Sequence, residues 1–235
     1  MSDPNIIARS TGTVRVWDLP VRVFHWMLAA TILIAFLSAE EESALAPWHR
    51  TAGWVAAVLI AFRVIWGFVG GEHARFADFL KPGRIVHHLA GLLSGRPERS
   101  IGHNALGGIA IVALLATVGG IVYSGVTMRG ESGEGPHEAL SNLLLGLIAL
   151  HVVAVMAMSL LTRENLVLAF FTGNKRADDH PGVPDARPPA ALGVPIAALV
   201  MGSSAYGATL VDPAAFNPGV HARSGESATG EHDDD

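Results

Sequence analysis

The sequence contains no cysteine. That absence excludes disulfides, iron–sulfur clusters, zinc–thiolate sites and covalently attached c-type haem. Charge is scarce too. Asp, Glu, Lys and Arg make up 16% of the 235 residues, half of all residues are hydrophobic, and the mean hydropathy is positive. No basic patch or stripe is present to engage a nucleic acid. The net charge of −5 comes largely from the ends and loops. In place of charge the chain has long apolar runs, the mark of an integral membrane protein. It also has eleven histidines, the main metal-ligating side chains left to it.

Four runs suffice to cross a bilayer: Val23–Ala39, Pro47–Gly70, Asn104–Met128 and the run from His137 through Ala139–Leu161. A fifth, Ala190–Val211, is broken by Gly193, Pro195, Gly202 and Gly207 and is a weaker span. The expected fold is therefore an all-α integral membrane protein, a four-helix transmembrane bundle with a fifth transmembrane helix. Residues 1–20 form a polar segment, 21–176 the transmembrane domain, 177–189 a linker, 190–211 the fifth helix, and 212–235 an acidic tail expected to be disordered. Ile85–Leu93 reads as a short amphipathic surface helix in a basic linker. A signal-peptide reading of the first run is disfavoured, because its leader is long and a cut near Ala44–Ala46 would discard His25. Basic residues set the orientation. They cluster in the amino-terminal segment, in the linker between the second and third runs, and from Arg163 to Arg187, whereas the opposite loops have only Arg50 and Arg129. The chain is expected in a bacterial inner membrane with its amino terminus cytoplasmic. Trp17, Trp26, Trp48 and Trp66 fall near run boundaries, as an aromatic belt would.

Polar side chains inside membrane helices are costly and mark function. His137 and His151 are fourteen residues apart on one run. On a helix that is about four turns and ~21 Å, so both rings share a face near opposite surfaces. His25 begins the first run, at the inner depth of His151, and His49 begins the second, at the outer depth of His137. The pairs are His25 with His151 and His49 with His137. Paired ligands on different helices of a bundle are what a clamped haem requires. A small residue follows each histidine by three or four positions: Ala29, Gly53, Ser141 and Ala154. Two bis-histidine, non-covalent haems with no open coordination site would pass single electrons.

Arg63, fourteen residues after His49, reads either as the partner of a haem propionate or other anion at the inner depth, or as an arginine snorkelling to the surface. His103 competes with His151 as inner ligand; a proton or quinone role, or a helix-start cap, are its other readings. His73, His87 and His88 read as surface histidines and His180, His221 and His232 as solvated. Met156 and Met158 read as core residues rather than ligands.

The segments VWDLPVRVFHW, WHRTAGW, FRVIWGFVG, GHNALGG, HEALSNLLLGLIALH and LTREN, in this order, resemble the bacterial cytochrome b-561 and nickel–iron hydrogenase b-type cytochrome family from Val16 to Arg176. The resemblance implies a four-helix core holding two non-covalent b haems, with ligand roles for His25, His49, His137 and His151. It implies electron exchange between a membrane quinone pool and an outer-face, periplasmic redox partner, a hydrogenase or a small c-type cytochrome. The acidic loop at Glu40–Glu42 would favour a basic partner. A homodimer is left open. Rival readings are a haem-bearing anchor subunit of a larger enzyme, a stand-alone quinone-linked reductase of a small molecule, and a metal or proton transporter. The transporter would want carboxylates inside the spans, and none is there.

Overall fold

A computed structural model describes residues 12–40, 42–79, 100–102, 105–127 and 131–221. In order they form strand β1 (Thr13–Arg15), helices α1 (Leu19–Leu37) and α2 (Trp48–Val69), one turn of helix α3 (Phe76–Phe79), then α4 (Ala105–Thr127) and α5 (Glu131–Thr162). A short α6 (Leu166–Thr172), strand β2 (Asn174–Arg176) and helix α7 (Gly193–Val211) follow. Among the described residues, α1, α2, α4, α5 and α7 are long and apolar enough to cross a membrane. Their outer faces leave Leu33, Phe68, Leu160 and Leu199 exposed, as suits contact with lipid.

Asp18 organises one end of the bundle. Its Oδ1 accepts from Val21 N (2.9 Å) and so caps α1, with Pro20 in the first turn. Its Oδ2 accepts from Gly71 N (2.8 Å) and from Trp66 Nε1 (3.1 Å), which ties the start of α1 to the end of α2. Trp66 is 1% exposed and stacks on Phe62, which meets Phe24 across the helix pair. Trp17 and Trp66 are thus core residues rather than belt residues; Trp26 and Trp48 remain exposed. Asp18→Ala removes a cap and strands two donors, a loss of about 2–4 kcal/mol. Its melting temperature in detergent should fall by several degrees, and Asp18→Asn should recover part of the loss.

Helix α2 is central, packing on α1, α4 and α7. Ala56, Val118 and Leu144 form a buried apolar cluster joining α2, α4 and α5. Helix α7 lies on α2 through Gly193 and Ala197; a Cβ on Gly193 would come within 2.8 Å of Val69 O. The interruptions in the fifth run do not break this helix. Its far end is fixed by Asp212, 8% exposed, whose Oδ2 accepts from Trp54 Nε1 and Arg50 Nη2, each at 3.0 Å. Burial disfavours the Asp212 charge, but Trp54, the Ala214 N–H and Arg50 outweigh it and hold the carboxyl below its usual range. The stabilisation is therefore complete above the unfolded carboxylate value, near ~4, and is lost as pH falls through the lower folded value. At pH 7, Asp212→Asn should speed amide exchange along α7 without changing exchange in α1.

Polar chain beyond α7 also folds: Asp212–His221 turns back and fully buries Ala215. The composition of this part points to disorder, but residues 212–221 pack. Helix α5 starts earlier than the run predicts, at Glu131, and carries Pro136 inside it. Strands β1 and β2 pair antiparallel, Thr13 with Arg176 through Arg15 with Asn174. Gly173, at φ +87°, closes α6 and offers its carbonyl to Val16 N and Trp17 N (2.8 and 3.0 Å). The expected surface helix at Ile85–Leu93 lies outside the described residues.

Candidate functional site

Helix α5 packs along α4 and turns into α6, but its contact with α1 and α2 is sparse. The histidines of α1 and α2 nonetheless come near those of α5. At one end His49 and His137 meet with ring centroids 6.1 Å apart and planes at 66°. His49 Nδ1 lies 2.9 Å from Ala35 O. A carbonyl only accepts, so this nitrogen donates and Nε2 keeps its lone pair. Ser124 Oγ donates to Ile121 O (2.9 Å) and lies 3.0 Å from His137 Nδ1. With its proton committed, Ser124 accepts from His137 Nδ1–H, and the second Nε2 is likewise left as a donor of electrons. Two imidazoles sharing one metal at ~2 Å each have centroids about 6 Å apart. Beside His49, a Cβ on Gly53 would meet nothing within 4 Å. Neither Ala35 O nor Ser124 was signalled by the sequence.

At the other end, His25 lies edge-on to Phe170 (4.8 Å) and Trp26 (5.0 Å). Its Nδ1 is buried without a hydrogen-bond partner. His151 of α5 stands within electrostatic reach of it. An orphaned buried nitrogen calls for an explanation, and a missing ligand is one. Arg63 is 2% exposed, so its head does not snorkel to the surface. Its guanidinium sits 4.9 Å from the Phe76 ring centroid, and Nη1 has no hydrogen-bond partner. His103, with His87, His88 and His232, lies outside the described residues.

Among the described residues no three His, Asp or Glu side chains gather as a metal site. The histidines come in twos, which suits a metal whose other ligands come from a macrocycle. His180 differs from its solvated reading: it is buried, its Nε2 3.1 Å from Glu164 Oε1, while Lys175 Nζ lies 2.9 Å from Glu164 Oε2. His73 is also largely covered and bonds Asp78 at 2.9 Å. Met156 is 52% exposed rather than core.

A family model described as prokaryotic cytochrome b561 matches residues 16–173. A probable Ni/Fe-hydrogenase B-type cytochrome subunit of Azotobacter vinelandii is 30% identical over 156 residues, 54% of this chain and 62% of that protein. Proteins of the same description from Bradyrhizobium diazoefficiens and Rhodobacter capsulatus are 21% and 25% identical, covering 71% and 73% of this chain and 87% and 84% of their own lengths. The match thus spans less than two thirds of the Azotobacter protein. No solved structure matches the chain. With its spanning helices and a family match over most of its length, the chain belongs to the prokaryotic cytochrome b561 family of multi-pass b-type membrane cytochromes.

Proposed function

We propose that the chain is a dihaem cytochrome b carrying electrons across the membrane between a quinone and a redox partner. His49 and His137 would hold one haem, and His25 and His151 the other. The observation that carries this reading is the His49–His137 pair: facing rings at 6.1 Å, each with Nδ1 committed to a protein acceptor. Such second-sphere bonds fix the tautomer and aim the ring before a metal arrives. The orphaned His25 Nδ1 supports the second pair. When bound, haem supplies one-electron chemistry at a potential set by ligands, burial and nearby charge. Arg63 would balance an anionic group such as a propionate near the His25 end, alongside the Asp18 carboxylate that already acts on it.

The basic-residue pattern supports a cytoplasmic amino terminus, in a bacterial inner membrane, with the His49 end outside. The names of the relatives support a hydrogenase as the partner, which this orientation would place on the periplasmic side. The Glu40–Glu42 loop favours a basic protein such as a c-type cytochrome as the second reading. The test is haem per purified chain by pyridine haemochrome, with a reduced-minus-oxidised spectrum. Near two b haems is the expected result. One would break a pair, and none would return the histidines to a transporter.

A further inference from the structure

Helix α5 runs from one histidine pair to the other, yet it is buried at one level only. Among the described residues between Gly135 and Leu161, Leu144 alone is buried, at 2% exposed. Its neighbours Leu143 and Leu145 are 50% and 47% exposed. Leu144 clusters with Ala56 of α2 and Val118 of α4, and Ile32 of α1 packs against them. Four helices, α1, α2, α4 and α5, thus contribute to one layer. Its level follows the histidines. Leu144 is seven residues from His137 and seven from His151, Ala56 is seven after His49, and Ile32 is seven after His25. Seven residues are close to two turns and ~10 Å of rise, ending about 20° from the starting face. The layer therefore lies midway between the two pairs, on the sides of α1, α2 and α5 that carry the histidines.

A carrier with histidines at both depths of a membrane must keep electrons and protons apart. Imidazoles take up and release protons near neutral pH. Water joining the two pairs would let protons cross between them and discharge a gradient. A buried water needs two to four polar partners. The layer offers it aliphatic carbon, and Thr117, next to Val118, commits its hydroxyl proton to Ala113 O (2.8 Å). Apolar constrictions of this kind stay dry and stop ions, whereas an electron can tunnel through packed carbon. We infer that Leu144, Ala56 and Val118 form a dry septum across the middle of the bundle, which passes electrons between the histidine pairs and holds protons back. The electron half rests on the dihaem reading: the iron at one pair is oxidised as the iron at the other is reduced, one electron moves, and no proton crosses. The barrier to protons stands without it.

The test reconstitutes the full chain in liposomes holding a pH-sensitive dye and follows proton entry after an external pH jump. Potassium and valinomycin hold the membrane potential at zero, and haem per chain is measured on the same samples. Wild-type vesicles should be as tight as protein-free ones to within about twofold. Leu144→Asn keeps most of the leucine's size but offers hydrogen bonds to water. It should raise proton entry at least about tenfold, the factor that one hydrogen bond is worth. Leu144→Ala opens space but leaves it apolar, and apolar cavities stay dry, so its leak should stay within about twofold of wild type while its melting temperature falls. Leu144→Met and the exposed-site control Leu143→Asn should both stay tight. The proposal is overturned if Leu144→Asn vesicles stay tight. It is also overturned if Leu144→Ala leaks as much as Leu144→Asn, because damaged packing would then explain both. If Leu144→Asn does not fold, Val118→Thr, which adds a hydroxyl at nearly constant shape, carries the test, and an unchanged leak there sinks the septum. Tight wild-type vesicles with no haem would defeat the dihaem reading and leave the septum standing; two haems in a leaky wild type would do the reverse.

Discussion

His49→Ala and His137→Ala should each lower haem from about two per chain to about one, and the double substitution should lower it no further. Residues that act as one unit are not additive. His25→Ala and His151→Ala should behave the same way as a second unit. A cross-pair double, His25→Ala with His49→Ala, should leave no haem. This pattern assigns four ligands to two sites without any structure of the loaded protein. Ser124→Ala is the graded control: the second-sphere bond to His137 is lost while the ligand remains, which should weaken haem retention on the order of 10–100-fold rather than abolish it. Pyridine haemochrome assays on the purified variants read every case. Loss of both haems in His49→Ala, or a full complement in His151→Ala with loss in His103→Ala, would reassign the sites.

Arg63→Leu should lower the midpoint potential of one haem and leave the other nearly unmoved. The guanidinium is 2% exposed and its Nη1 has no hydrogen-bond partner, so its charge is felt inside the bundle with little screening. A unit charge ~10 Å away at an effective dielectric of about 20 is worth roughly 1.7 kcal/mol, on the order of 70 mV for one electron. The sign follows from the charge: a cation favours the reduced, less positive iron, and its removal makes reduction harder. Arg63→Lys should restore most of the shift, because the charge returns even though the fork does not. Redox titration of the two spectral components is the measurement. Equal shifts in both haems, or none, would place Arg63 outside the site.

Much of the bundle was legible because apolar runs must be helices when they cross lipid. The fourteen-residue step from His137 to His151 showed which depths to compare, and His49 indeed lies beside His137. What the runs do not encode is which face a side chain takes. Trp66 reads as a belt residue by position, yet it points inward because Asp18, 48 residues upstream, receives its N–H. Gly-rich sequence up to Pro136 reads as a turn, but the helix begins at Glu131 and runs through it. Three-residue strands of polar composition have no periodicity to detect, so β1 and β2 appear only with their partner. His180 looked solvated because its partners, Glu164 and Lys175, belong to segments that composition separates from it.

The β1–β2 pair has a consequence for biosynthesis. It joins residues 13–15 to residues 174–176, so the earlier segment waits for the later one to be made. His49 and His137 can meet as soon as the start of α5 has entered the membrane. His25 acquires its neighbour Phe170, and Val16 and Trp17 their acceptor at Gly173, only after α6 has been made. The His25 end of the bundle is thus completed only after His49 and His137 can meet, and Asp212 closes on Arg50 and Trp54 later still.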